Sequence, residues 1–286
     1  MHRPTNLRSG PRRTATALVL GIAALLLGGC AFPAPQSTAA PVPSGPLDTS
    51  RQLVVVTAAD WSATAGTMQR FERESAAQQW RPIGEAFPIV LGTSGLAWGR
   101  GTHGDTPSAE YRKREGDGKS PAGIFALSAV FGYAPAAQAG PAARAMPYVQ
   151  ATTATECVDD SASTHYNRVL QRTGAAVDWN SAEHMRRDDD LYRLGIVVDH
   201  NTAPAQPGAG SCIFIHIWQG PGSTTDGCTA GDPANIAALA AWLDQARAPR
   251  LVQLPRDAYI AHMQAWRLPP LPMPPPVDRK AALTGG

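Results

Sequence analysis

The chain is predicted to be mainly β with a few helices, on three observations. Its apolar runs are short and β-branched, Leu53-Val54-Val55-Val56-Thr57 being the plainest. Its 27 glycines and 26 prolines in 286 residues set turn-formers between such runs. Helical spacing is well marked only in the stretch that begins at Asp232. β-Branched side chains fit a pleated surface, whereas Gly and Pro interrupt it, so this pattern favours short strands joined by turns.

Taken in order, Leu53–Thr57 is the first expected strand and Phe87–Leu91, weakened by Pro88, the next. Arg114 to Ser120 is a glycine-rich turn leading into another strand. Ala182 to Tyr192 is expected as a helix, followed by strands at Leu194–Asp199 and Cys212–Trp218. At Asp232 a capping carboxylate precedes Pro233 at the first helical position, and Ile236, Leu239, Ala240 and Leu243 share one face of a helix running to Arg247.

The N-terminus reads as an export signal. Arg3, Arg8, Arg12 and Arg13 precede an uncharged apolar run, Ala15 to Leu27, that is short for a membrane span and ends in Leu27-Gly28-Gly29-Cys30. That ending resembles a bacterial lipoprotein signal, which implies removal of residues 1–29 and lipid attachment to Cys30; an ordinary secretory signal is the alternative. The expected location is the cell envelope, lipid-anchored and facing the periplasm, with Ala31 favouring the outer membrane in a Gram-negative cell. Residues 30–50, rich in Ala, Pro, Ser and Thr, are expected to be a tether, and 269–286 a disordered Pro-rich tail. Residues 51–268 are expected to form a single domain. A net charge of +2, with no dense Lys/Arg cluster in that domain, argues against nucleic acid as a partner.

Two polar residues stand out near the end of the domain. His216 lies on the apolar run Ser211 to Trp218, and Cys228 follows a glycine in Ser223-Thr224-Thr225-Asp226-Gly227-Cys228-Thr229. A thiolate is a strong nucleophile at neutral pH, and an imidazole within reach can generate it. Cys228 is the candidate nucleophile and His216 the candidate base. The helix from Asp232 begins soon after Cys228, so its positive end is expected to help hold a thiolate.

Gly116-Asp117-Gly118-Lys119-Ser120 is not a phosphate loop, since Lys113 stands where the first glycine of that pattern belongs. Gly-Asp-Gly-Lys-Ser-Pro-x-Gly-x-Phe, followed by His216 and then Gly227-Cys228, resembles the signature of the L,D-transpeptidase (YkuD-like) catalytic domain family. The resemblance spans about residues 52 to 250. It implies a β-sandwich or barrel catalytic domain acting on peptidoglycan stem peptides. Cys228 would attack the carbonyl after the L-centre of diaminopimelate, release the terminal D-alanine and pass the acyl group to an amine. His216 would be the base, and backbone amides at Gly227 and Cys228 the oxyanion hole, glycine allowing close approach. Acyl transfer of this kind needs no cofactor. Asp117 and Lys119 are read as shaping the loop. Asp226 and Ala230 depart from the family pattern at the residue before the glycine and two places after the cysteine.

A zinc site from Cys212, His216, Cys228 and His200 fails on spacing, because Cys212 and His216 on one strand lie about 13 Å apart, and no metal is expected. In an oxidising compartment Cys212 can instead form a disulfide with Cys157. His200 is read as ending a strand, and Trp98 and Trp218 either line a groove or pack in the core. Two functional readings stand: a cysteine transpeptidase or related hydrolase of the cell wall, and a non-catalytic peptidoglycan-binding envelope lipoprotein.

Overall fold

The computed structural model describes residues 45–104, 111–174 and 176–271. The expected signal at 1–29, Cys30, most of the tether and the tail from 272 onward lie outside the described residues. In chain order the strands are β1 (Gln52–Ala58), β2 (Ala65–Glu72), β3 (Arg81–Val90), β4 (Leu96–Trp98), β5 (Ser120–Gly132), β6 (Tyr148–Gln150), β7 (Thr155–Val158), β8 (Val169–Gln171), β9 (Ala182–His184), β10 (Leu194–Val198), β11 (Phe214–Ile217), β12 (Thr229–Gly231) and β13 (Arg250–Pro255). The helices are α1 (Ala142–Ala145), α2 (Pro233–Trp242) and α3 (Arg256–His262).

Strand β5 makes the large sheet close on itself. Over its 13 residues it pairs first with β13, through Gly123–Ala126, and then with β10, through Leu127–Gly132. The remaining path runs β10-β11-β12-β3-β2-β1-β13 and so returns to β5. A closed ring leaves no free edge along those strands. Gly123, at φ +138°, sits where the His103 ring presses on the backbone, a place that admits no Cβ. A separate three-stranded sheet, β8-β7-β9, stands beside the ring's sequence as its own unit of pairing.

Alternation along β11 separates two apolar clusters. Ile215 and Ile217 join the large core with Leu53, Val55, Ile124, Leu251 and Ile236. Phe214 faces the other way, into a smaller cluster with Phe131, Met185, Tyr192, Cys157, Cys212 and Cys228. Period-two alternation on a strand buried on both faces produces this division. Each fully buried Leu, Ile or Phe contributes about 1.5–3 kcal/mol, so both clusters hold their strands firmly.

Several expectations are corrected. Residues 182–192 are not a helix: Ala182–His184 is β9, paired with β7, and the chain then turns, with Asp190 at φ +59° and Arg187 bonded to Asp189. The pull of the smaller cluster on Met185 and Tyr192 outweighs weak helical spacing there. The strand expected at Cys212–Trp218 is only Phe214–Ile217, because Cys212 is left-handed (φ +54°). Asp232 does cap α2, accepting from Ala234 N at 2.8 Å, but α2 ends at Trp242 and a separate 3-10 turn follows at Gln245–Arg247. The domain also begins earlier than residue 51. Leu47 is buried in the core, and Arg73 Nε donates to Ser50 O at 3.0 Å. At the other end Tyr259 Oη donates to Pro269 O at 2.8 Å, so the first residues of the expected tail are part of the fold.

Candidate active site

The parallel pairing of β11 with β12 sets Ile215 opposite Thr229 and His216 opposite Ala230, which brings the segment before β12 alongside Phe214. Cys228 is the residue just before β12. Its backbone is fixed by two hydroxyls, Ser120 Oγ at 2.8 Å and Thr225 Oγ1 at 2.6 Å, both donating to its carbonyl. Gly227 has φ +143°, and a Cβ there would stand 3.0 Å from Lys119 O. The glycine-rich loop is therefore packed directly against the Gly227–Cys228 turn.

Asp117 organises that loop, as its sequence context suggests. Its Oδ1 accepts from Lys113 Nζ at 2.5 Å and from Lys119 N at 2.9 Å, and its Oδ2 from Arg114 N at 2.8 Å. Lys113 Nζ also donates to Arg114 O at 2.9 Å. The Lys113 side chain is only 4% exposed, and its Nζ would lie 3.7 Å from a Cβ on Gly227. A buried ammonium is thus held close to the candidate nucleophile.

Cys228 and His216 line one cleft of about 810 Å³, together with Lys113, Glu183, Tyr192 and Asp226. Cys228 Sγ accepts from Phe214 N at 3.3 Å and donates to Cys212 O at 3.6 Å. Burial, and next the charge of Glu183, push its thiol up to about 12, against the pull of the Phe214 amide, Tyr192 and Lys113. His216 is pushed down to about 4, mainly by burial. Its Nδ1 is 2.8 Å from Ile217 O. A carbonyl only accepts, so Nδ1 carries the proton and Nε2 keeps the lone pair. The resting site holds a neutral thiol and a neutral imidazole. No hydrogen bond joins the two among the described residues; the Tyr192 ring lies 4.9 Å from that of His216 and belongs to the same apolar cluster as Cys228.

A family model described as the L,D-transpeptidase catalytic domain (YkuD) matches residues 67–252, from β2 into β13. The chain belongs to the L,D-transpeptidase catalytic domain family. Comparison with curated proteins and with solved structures gives no match. The closed, mainly β architecture agrees with that family, which acts on peptidoglycan stem peptides.

In this L,D-transpeptidase domain the other sequence-predicted residues fall into place as follows. Cys157 and Cys212 are bonded to each other, which removes Cys212 from any ligand set and leaves Cys228 as the free thiol among the described residues. Gly227 N donates to Thr225 Oγ1 at 3.2 Å. The helix expected to begin soon after Cys228 starts at Pro233, with β12 between the two. His200, just past β10, is buried with Nδ1 accepting from Arg100 N at 3.2 Å and Nε2 3.0 Å from Ala209 O, so it knits loops together outside the cleft. Trp98 is core, whereas Trp218 lines the cleft. The acid acting on the thiol is Glu183; Asp226 acts on Glu183.

Sequence reading missed Lys113, Tyr192 and Glu183 as parts of the site. In the sequence Lys113 stands out only as a misfit in a phosphate-loop pattern. Tyr192 and Glu183 belong to a stretch with helical spacing, and nothing in that spacing connects them to a cysteine so far along the chain.

Proposed function

We propose that the protein is an exported cysteine L,D-transpeptidase that cuts and re-forms peptide bonds in peptidoglycan stem peptides, with Cys228 as nucleophile and His216 as base. The observation that carries this reading is the state of His216. With Nδ1–H fixed on Ile217 O, its Nε2 is an unprotonated acceptor in the same cleft as the free thiol.

Since thiol and imidazole both rest neutral, proton transfer from Sγ to Nε2 accompanies attack on the substrate carbonyl, and no standing ion pair is needed. The carbonyl after the L-centre of diaminopimelate becomes a tetrahedral oxyanion. Backbone amides of Cys228 and Gly227 receive it, the latter exchanging its long bond to Thr225 for a shorter, charge-assisted one. His216 then protonates the departing amine of D-alanine, leaving a thioester on Cys228. An amine of a second stem peptide, deprotonated by His216, resolves the thioester in transpeptidation; water does so in hydrolysis. Export is assigned to residues 1–29 and lipid attachment to Cys30, on the basic-apolar-small order of that segment. The deeply protonated thiol favours a second reading, a wall-binding module without catalysis.

Disaccharide-tetrapeptide muropeptides incubated with the protein and with Cys228→Ala separate these. Cross-linked products or free D-alanine that vanish in the variant support the enzyme. Equal binding of sacculi by both proteins, without products, supports the module.

A further inference from the structure

Glu115 is an exposed residue of the glycine-rich loop, yet its carboxylate is pinned. Tyr166 Oη and Ser211 Oγ both donate to its Oε2, the serine at 2.8 Å, and its backbone N donates to Gly208 O at 3.0 Å. Tyr166 and Ser211 are themselves buried, so both hydroxyls are presented from inside the fold. Ordering an exposed glutamate costs rotamer freedom, and here two hydroxyls spend their protons on one oxygen. The other oxygen, Oε1, receives no donor among the described residues, although an ionised carboxylate accepts on both. Glu115 and Ser211 line the same cleft as Cys228. Ser211 directly precedes Cys212, whose carbonyl accepts from Cys228 Sγ at 3.6 Å, so the carboxylate is tied one residue away from a group that touches the sulfur. The cations nearby are engaged elsewhere: Lys113 by Asp117 and Arg114 O, Arg187 by Asp189.

We propose that Glu115 is a specificity-determining residue, whose Oε1 receives the side-chain ammonium of the diaminopimelate that Cys228 attacks. This rests on the reading of Cys228 as a nucleophile for stem peptides. An alkylammonium carries three N–H donors and a full charge, and a carboxylate oxygen already fixed in place binds it by a charge-assisted hydrogen bond without further ordering. Glu183 and Asp189, also in the cleft, are occupied by Tyr192 and Arg187. The preferred donor is therefore a peptide whose attacked residue keeps a free primary amine on its side chain. A stem already cross-linked through that nitrogen has a neutral amide there and is a poor donor.

The test is a two-by-two comparison in the full-length protein: wild type against Glu115→Gln, and disaccharide-tetrapeptide against the same compound acetylated on its diaminopimelate side-chain amine. Glu115→Gln removes the charge, while its amide oxygen still accepts from Tyr166 and Ser211. The readout is acylation of Cys228 in single-turnover mass spectrometry, which involves the donor and no acceptor. Glu115→Gln should raise the half-saturating donor concentration by roughly tenfold or more and change the limiting acylation rate less. Acetylation should raise it by a similar factor in wild type and add little in Glu115→Gln. An unchanged half-saturation in Glu115→Gln overturns the proposal, as does acetylation that costs the variant as much as the wild type. A wild-type protein that takes both donors equally well also overturns it, without relying on the fold of any variant. Calorimetric titration of both compounds into Cys228→Ala and into Cys228→Ala with Glu115→Gln needs no acylation. If no adduct forms with any protein, the enzyme reading has failed, and the titration alone decides whether Glu115 holds the ammonium: the same pattern in Kd supports it, and equal affinities overturn it.

Discussion

Lys113 Nζ lies 2.5 Å from Asp117 Oδ1, and the pair is packed against the Gly227–Cys228 turn. Side-chain exposure is 4% for the lysine and 16% for the aspartate, so the two charges depend on each other for solvation. The loop that carries them is thereby part of the cleft's electrostatics as well as its wall.

Removing one partner should be costly. Asp117→Ala leaves the ammonium with Arg114 O and frees two backbone amides, and should lower unfolding free energy by about 3–5 kcal/mol in urea titration. Lys113→Met also leaves Asp117 without its cation. Because Lys113 pulls the Cys228 thiol down, this variant should in addition shift alkylation of Cys228 to higher pH.

Gly227→Ala forces a side chain into φ +143° and against Lys119 O. A strained residue of this kind costs about 1–3 kcal/mol. Displacing the amides that face the oxyanion should reduce kcat by about a hundredfold or more. Urea unfolding and muropeptide turnover, measured on one preparation, give both quantities.

Two histidines are buried in neutral form, His216 at about 4 and His200 at about 3, both through burial. Their ionisation is depressed below the ordinary value of 6.5, so between 6.5 and the folded value the unfolded chain binds more protons. Their contribution to stability is therefore complete above 6.5 and is lost as pH falls, by about 1.4 kcal/mol per pH unit for each histidine. His200→Gln should make the stability–pH curve shallower in this range, as followed by thermal denaturation.

The Cys157–Cys212 bond closes a loop with a sequence separation of 55. On chain-entropy grounds its loss should cost about 4 kcal/mol. Cys157→Ser with Cys212→Ser should show that loss in thermal melts under non-reducing conditions. Dithiothreitol should lower the wild-type Tm toward that of the variant and leave the variant's own Tm unchanged.

What was legible in the chain followed from local chemistry. Leu53–Thr57 announces β1, Asp232-Pro233 announces the start of α2, and His216 with Gly227-Cys228 marks the two groups that share the cleft. Closure of the sheet was not legible, since it depends on one long strand, β5, changing partners from β13 to β10 midway. Nor was the role of Glu183 and Tyr192. Their short segment has helical composition, and only packing with Phe131, Phe214 and Cys228 overrides it. Leu47 shows the same limit at a boundary: one buried leucine extends the fold into a stretch that composition reads as tether.

The central claim is that Cys228 carries the acyl group. The most direct measurement is the mass of the Cys228 peptide after brief reaction of the full-length protein with a disaccharide-tetrapeptide and an acid quench. The account predicts an adduct equal to the substrate less D-alanine, bound as a thioester and absent from His216→Ala under the same exposure. D-alanine release with Cys228 unmodified at every time point, and undiminished in Cys228→Ala, would contradict it.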